Sequence, residues 1–246
     1  MNVYHITYSP GPKIVCLYFW GCNLKCRACL LKKEIYDCHL KETKELIYDP
    51  DKVAPSAPER FLSLSEVVNI LGELKFNQVI FMGAEPTVDP HLPELANILH
   101  EKFHTYNLLL TNGLKLPSLN HIDEVVFSIK AYTESLHLYY TGKSNKEILN
   151  NFVLLYRSGM KLKVESVFIP GCIEQDEFER MAQFVGRVDE NLPYRIDAYL
   201  PAGNNPWRRP AVHEITAAVK AAQKYLKNVS CITGYEEMVY EVTRIF

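Results

Sequence analysis

The sequence predicts an α/β fold built on a parallel sheet, and three observations support this prediction. Short apolar runs rich in β-branched and aromatic residues alternate along the chain with stretches of helical periodicity. Most of these runs are continuously apolar, which is typical of strands covered on both faces. The 246 residues are 48% apolar, enough for a packed core. Strands that alternate with crossover helices are typical of parallel β/α architecture, and we expect a single domain over 1–246.

Each element follows from its local pattern. The strands are predicted at residues 13–20, 78–83, 106–111, 124–130, 161–169 and 194–200. The first helix begins at the capping pair Ser63 and Glu66, and a second covers "PELANILHEKF". A third ends at Gly159, and a fourth spans residues around 175–187. The apolar face of a closing helix is formed by Val212, Ile215, Val219, Ala222 and Leu226.

Residues 32–60 are the exception to this alternation. They run charged and then Pro-rich, ending in "DPDKVAPSAPER", and show no clear periodicity. We interpret them as a long surface insertion within the domain.

Composition excludes several classes of partner. The net charge is −2 and no basic stripe is present, which argues against nucleic acid. The N-terminus has neither the charged nor the apolar region of a secretory signal. The apolar run 14–20 is far shorter than the roughly 20 residues that span a bilayer. Seven cysteines, three of them in one loop, favour metal ligation in a reducing cytoplasm over disulfides.

The three clustered cysteines, Cys22, Cys26 and Cys29, follow the first predicted strand directly. Thiolates bind both zinc and iron–sulfur clusters. A structural zinc site needs four closed ligands, so Cys38 or His39 would have to complete it, and no second CxxC pair exists. A 4Fe–4S cluster on three cysteines would leave one iron open. The spacing favours the cluster, and a zinc-stabilised binding protein without redox chemistry is the alternative.

Further polar residues end the other predicted strands. The second strand runs into "GAEPT" (83–87) and the third into "TNG" (111–113), while Ser128 and Lys130 close the fourth and Glu165 lies on the fifth. Sites in parallel β/α folds form where the strands end, so we expect these residues on one rim with the cysteines.

These motifs together resemble the radical S-adenosylmethionine (SAM) superfamily. CxxxCxxC after the first strand, followed by "GAEPT", matches its signature, and "TNG" with the stretch 140–171 is similar to the pyruvate formate-lyase activating enzymes. The resemblance implies a partial (β/α)6 barrel with a 4Fe–4S cluster on Cys22, Cys26 and Cys29 and SAM on its open iron. One electron from a low-potential donor, such as a ferredoxin or flavodoxin, would cleave SAM to a 5′-deoxyadenosyl radical that abstracts hydrogen. The implied target is a glycine of a glycyl-radical enzyme; the alternatives are a small molecule or another protein modification.

The resemblance also implies which residues line the SAM pocket, although it assigns no catalytic side chain. Gly83, Ala84 and Glu85 match the segment that meets the SAM amino group. The other implied cofactor-binding residues are Ala28, Thr111, Asn112, Ser128, Lys130 and Glu165.

Several positions depart from the activating-enzyme pattern. Ala84 stands for a second glycine, Ala28 for an aromatic residue, and Glu165 for an arginine. Leu110 and Ser128 replace two aspartates, and Leu200 aligns with a histidine. We expect SAM cleavage to be kept, while a carboxylate cation site near SAM is expected to be absent.

Overall fold

The computed structural model describes residues 1–30, 40, 58–201, 205–236 and 239–246. Its strands are β1 (Val3–Ser9), β2 (Ile14–Phe19), β3 (Gln78–Gly83), β4 (Tyr106–Thr111), β5 (Glu124–Ser128), β6 (Lys161–Phe168), β7 (Tyr194–Ala198), β8 (Val229–Ile232) and β9 (Thr243–Arg244). Its helices are α1 (Leu64–Gly72), α2 (Leu92–Phe103), α3 (Glu134–Thr141), α4 (Lys146–Arg157), α5 (Gln175–Val188) and α6 (Val212–Ala222).

The described strands form one sheet in the order β8-β7-β6-β5-β4-β3-β2-β1-β9. Strands β2 to β8 are all parallel and each pairs with its neighbour in sequence, whereas β1 and β9 are antiparallel. The predicted α/β class with a parallel sheet is therefore confirmed. The described residues share one continuous sheet and one hydrophobic core, and the single domain over 1–246 stays a prediction.

The strand order determines which face of the sheet is open. Crossovers between parallel strands are right-handed, so a sheet that always grows in one direction collects its helices on one face. On that face Val79 and Phe81 of β3 are completely buried, while Ile80 and Met82 on the opposite face are only half-buried. The same alternation recurs in β6 and β7. The inner face of this partial barrel is therefore a half-open surface.

Strands β1 and β9 and helix α3 were not predicted, and four of the six predicted strands were too long. In β1, His5 and Thr7 interrupt the apolar pattern, yet both are buried against β2. Helix α3 spans only eight residues and ends at Gly142, whose φ of 77° stops it. Strand β5 ends at Ser128, so Lys130 lies two residues beyond it.

The predicted insertion, 32–60, lies outside the described residues except for Leu40 and residues 58–60, and the candidate ligands Cys38 and His39 lie outside them too. Leu40 is buried, with 2% of its surface exposed. No helix in the described part of the chain is both long and apolar enough to span a membrane.

Candidate metal and cofactor site

The cysteine loop begins where β2 ends, at the carboxyl edge of the parallel strands. Cys22 is exposed, and Cys26 and Cys29 are half-buried, with all three free of disulfides. This is the edge at which parallel β/α folds place their sites. The loop therefore lies where the sequence predicts it.

The end of helix α3 holds the cysteine loop in place. The backbone N–H groups of Lys25 and Arg27 donate to the carbonyls of Thr141 and Tyr140, each at 2.9 Å. The Arg27 side chain donates from Nε to the Tyr139 carbonyl at 2.8 Å, and its guanidinium lies 4.2 Å from the centre of the Tyr139 ring. The last carbonyls of a helix have no partner within it, so the loop satisfies this helix end while the helix fixes the loop.

Helix α3 is in turn held by a buried carboxylate on α5. Glu177, 1% exposed, accepts hydrogen bonds from the N–H groups of Tyr132 and Thr133 at 2.6 and 2.7 Å. It also accepts the Thr133 hydroxyl at 2.7 Å and pairs with Arg180 at 3.0 Å. The start of α3 is thereby fixed to the outer layer of helices.

Burial keeps the thiols of Cys22 and Cys26 protonated as long as no metal is bound. Burial is the main cause that raises the pKa of Cys26 to about 11; Lys130 opposes this rise, and the neighbouring Cys29 and Cys22 add to it. Burial also raises the pKa of Cys22. Thiolates that repel one another in a partly desolvated loop form readily when a metal balances their charge.

The chemistry of the donor set fits an iron–sulfur cluster. Three cysteine thiols in one loop are ligands that such a cluster accepts. A structural zinc site would need a fourth ligand, and its candidates, Cys38 and His39, lie outside the described residues.

Glu85 connects the ends of β3 and β4. Its carboxylate is 1% exposed and accepts from the Thr87 N–H and hydroxyl at 3.2 and 2.7 Å. It also accepts the Thr111 hydroxyl and the Asn112 N–H, both at 2.7 Å. Burial raises the pKa of Glu85, and these four donors oppose that rise. The side chain is a positioning group, which leaves only its backbone to meet a ligand.

Gly83 and Ala84 differ in what their backbone allows. Gly83 has a φ of 107°, and a Cβ there would lie 2.6 Å from the Phe19 backbone nitrogen, so only glycine fits. Ala84 is not among the described residues with positive φ, and its N–H donates to the Phe19 carbonyl at 2.9 Å. Alanine in place of the family's second glycine therefore causes no backbone strain.

Asn112 and Lys130 link the neighbouring strands to the cysteines. The Asn112 Nδ2 lies 3.6 Å from the Cys22 sulfur and donates to Asn23 Oδ1 at 2.8 Å. The Lys130 Nζ donates to Ser128 Oγ at 2.6 Å, and its charge lowers the pKa of Cys26. The structure thus brings the residues predicted on β4 and beyond β5 to the cysteine loop.

Glu165 takes part in a charge network that sequence reasoning did not identify. Arg195 on β7 is its cross-strand partner and donates from Nη2 to Glu165 Oε2 at 2.8 Å. The same guanidinium donates to both carboxylate oxygens of Asp197, at 2.7 and 2.9 Å. The signal was present, because Arg195 and Asp197 are polar residues two positions apart in an otherwise apolar strand.

Two other residues are less closely tied to this site. Ala28 is half-buried and packs against the core, and its predicted cofactor contact stays a prediction. Trp207, in the loop after β7, is 9% exposed and packs against Tyr140 and Tyr199.

Comparisons with known proteins identify the family of this chain. The radical SAM superfamily matches residues 18–185. A protein of Methanocaldococcus jannaschii, assigned by name as a glycyl-radical enzyme activating enzyme, is 32% identical over 244 residues, covering 96% of this chain and 86% of that protein. The pyruvate formate-lyase-activating enzyme of Staphylococcus aureus is 25% identical over 244 residues, covering 89% and 90%.

The fold has solved counterparts as well. A radical SAM methyltransferase from Sphaerobacter thermophilus superposes with a TM-score of 0.61 at 16% identity, covering 92% of this chain and 68% of that one. At that identity the likeness establishes the architecture alone. Together with the superfamily match and the relatives that cover nearly the whole sequence, it shows that this chain is an enzyme of the radical SAM superfamily, similar to glycyl-radical enzyme activases.

Proposed function

We propose that Cys22, Cys26 and Cys29 hold a 4Fe–4S cluster and that the protein uses SAM to activate a glycyl-radical enzyme. The observation that carries this proposal is the three-cysteine loop at the carboxyl edge of the sheet in a chain of this superfamily. When bound, the cluster and SAM supply a one-electron cleavage that yields a radical able to abstract hydrogen. The protein contributes orientation, charge and exclusion of water.

The pocket residues have separate proposed roles. The backbone of Gly83, Ala84 and Glu85 receives the SAM amino group, since the Glu85 carboxylate is already engaged by four donors. Asn112 steadies the cysteine loop through its contact with Cys22, and Thr111 orients Glu85.

The remaining pocket residues provide charge and contact surface. Lys130, held by Ser128, offsets the negative charge of the thiolates. Glu165 has one carboxylate oxygen paired with Arg195 and offers the other to hydroxyl groups of the nucleoside. Ala28, between the second and third cysteines, contacts the adenine.

The proposed target is a glycine in a partner protein, and two observations support it. The relatives that cover most of the chain are named as activating enzymes. Beside the cysteine loop, Leu138 and Tyr139 on α3 are 53% and 52% exposed, an apolar rim suited to a protein partner. A low-potential ferredoxin or flavodoxin is the proposed electron donor, and the reducing cytoplasm the proposed location.

The first experiment tests the cluster and the cleavage of SAM. Anaerobically reconstituted protein should carry about four irons, bleach on reduction with dithionite and release 5′-deoxyadenosine from SAM. Cys26→Ala should lose the iron and the product, whereas Cys231→Ala, at an exposed cysteine on β8, should keep both. A colourless protein with one zinc ion that leaves SAM intact would sink the proposal.

The second experiment tests the target. A glycyl-radical enzyme, deuterated at glycine, should transfer deuterium into 5′-deoxyadenosine. A small molecule or another protein residue is the second candidate, favoured by the charged Glu165, Arg195 and Asp197 on the half-open inner face. SAM cleavage without deuterium transfer from any glycine would favour this second candidate.

A further inference from the structure

A second group of metal-ligating side chains lies at the opposite end of the sheet. His100 and Glu101 are in the last turn of α2, and His121 precedes β5 in the loop that follows β4. Their ligand atoms all lie within 4.8 Å of one another. The loop around His121 pairs with the start of β4, at the amino ends of the strands, whereas the cysteines lie at the carboxyl ends. This cluster is therefore separate from the proposed SAM pocket.

The donor set of this cluster suits a borderline transition metal. Two imidazoles and one carboxylate form a known ligand set for Zn²⁺, with water at the fourth position. Ligand atoms around tetrahedral zinc lie about 3.4 Å apart, given bonds of about 2.1 Å. The widest separation here is at most 4.8 Å and has to shrink by no more than about 1.4 Å, a movement that the exposed Glu101 side chain can make.

The two imidazoles are already brought together. Their ring centres are 4.7 Å apart with an angle of 42° between the planes. The Nδ1 of His100 is buried and hydrogen-bonds to nothing in the described part of the chain. A buried ring nitrogen without a partner is costly, and coordination of a cation by the imidazole would fix which nitrogen carries the proton.

One buried amide sets the position of His121 relative to α2. Asn107, fully buried on β4, donates from Nδ2 to the Ala96 carbonyl on α2 at 3.1 Å. The same nitrogen donates to the His121 carbonyl at 2.8 Å. Metal ligands are commonly positioned by such outer hydrogen bonds, and here a single side chain ties together the helix and the loop that carry the ligands.

We propose that His100, Glu101 and His121 bind a divalent transition-metal ion, Zn²⁺ being the best match, and that the ion fastens the end of α2 to the loop before β5. The site is structural, and it is independent of the proposed SAM chemistry because it uses none of the cysteines.

Zinc titration of the reconstituted, chelator-treated protein tests the proposal. Wild type should bind one more equivalent of Zn²⁺ by isothermal titration calorimetry than His121→Asn, and this zinc should raise the melting temperature. Asn tolerates the left-handed conformation of His121, whose φ is 64°, so that variant keeps the backbone. Glu101→Gln, at an exposed position, should weaken this zinc at least about tenfold.

The control is His213→Asn, which removes an exposed histidine from α6 and should bind zinc as wild type does. Comparison between variants separates this site from any zinc on the cysteines, since those thiols are the same in all of them. Equal zinc stoichiometry and affinity in wild type, His121→Asn and Glu101→Gln would overturn the proposal.

Discussion

Glu85 shows what one buried carboxylate does at this site. Four donors from three residues converge on it, and one of those residues, Asn112, also contacts the cysteine loop. Replacing it with alanine leaves the Thr111 hydroxyl and the Asn112 N–H buried without an acceptor. Glu85→Ala should therefore lower the free energy of unfolding by about 3 kcal/mol, measured in urea.

The matched control for Glu85 is a carboxylate at the surface. Glu94 is 60% exposed, and among the described residues it pairs with His91 alone, at 3.6 Å. Glu94→Ala should cost less than about 0.5 kcal/mol. Equal losses in the two variants would show that the hydrogen bonds of Glu85 do not stabilise the fold.

Gly83 and Ala84 are neighbours that differ in how well they tolerate substitution. A methyl group on Gly83 would meet the Phe19 backbone nitrogen at 2.6 Å and oxygen at 2.7 Å, at a φ of 107°. Gly83→Ala should therefore cost about 3 kcal/mol of unfolding free energy. Ala84→Gly, which restores the family's usual residue, should cost about 1 kcal/mol or less, because only chain entropy changes. Thermal unfolding of the two variants should reveal this order; the reverse order would contradict the geometry.

At the scale of elements, α3 connects the helix layer to the cysteine loop by hydrogen bonds at its two ends. Glu177 fixes its start and the loop N–H groups cover its end. Glu177→Ala should lower the unfolding free energy by about 3 kcal/mol, because it leaves two backbone N–H groups and the Thr133 hydroxyl without a partner. The same variant should retain less iron after reconstitution than wild type.

Asp176→Ala is the control on α5, the helix that also carries Glu177, since Asp176 is 72% exposed and, within the described part of the chain, pairs with no residue but Arg180. Its cost should stay below about 0.5 kcal/mol, with iron content unchanged. If Glu177→Ala retained as much iron as wild type, the position of α3 would not affect iron binding by the cysteine loop.

How well each element could be predicted from sequence depends on how it is buried. Strands β2 to β5 have near-continuous apolar runs, because helices cover one face and the barrel interior partly covers the other, whereas β6 and β7 carry charged residues between their apolar ones. Strand β1 was not predicted, because its residues His5 and Thr7 are polar although they are buried. Helix α3 was not predicted, because the apolar residues Leu138 and Tyr139 are exposed and break the helical periodicity of buried apolar residues.

The site was predictable only as far as topology allows. Parallel strands in sequence order place every strand end on one rim, so the convergence of Cys22, Glu85, Asn112 and Lys130 followed from the pattern. The pairing of Glu165 with Arg195 could not be predicted from this pattern, because it depends on the register between β6 and β7. Register is set by packing of whole strands, which local sequence does not reveal.

At the scale of the whole molecule, Glu124 forms ion pairs between the amino ends of β5 and β6. It is 2% exposed and pairs with Lys161 and Lys163 at 2.8 and 2.6 Å. Burial raises its pKa, but the two lysines and the Tyr106 hydroxyl outweigh burial and hold the pKa at about 2, below the ordinary 4.5. A lowered pKa stabilises the folded state above pH 4.5, and this contribution is lost as the pH falls toward 2.

The pH dependence of Glu124→Gln should therefore differ from that of wild type. Urea unfolding of cluster-free protein at pH 5 and pH 3 should show a larger loss of stability in wild type than in the variant. Subtracting the two profiles removes the other carboxylates, which titrate in both proteins. Identical slopes would mean that the lysines do not favour the ionised form of Glu124.

The position of β9 has a consequence for the synthesis of the chain. Every other strand pairs with its neighbour in sequence, whereas Thr243 and Arg244 pair with β1 across more than 230 residues. The backbone of Ile6 on β1 also bonds to Ile245 and Phe246. While the chain is being made, β1 therefore presents an open edge until these last residues arrive, and such edges recruit strands from other molecules. A product truncated before residue 243 should accordingly aggregate more readily than the full chain, even though its cysteine loop is intact.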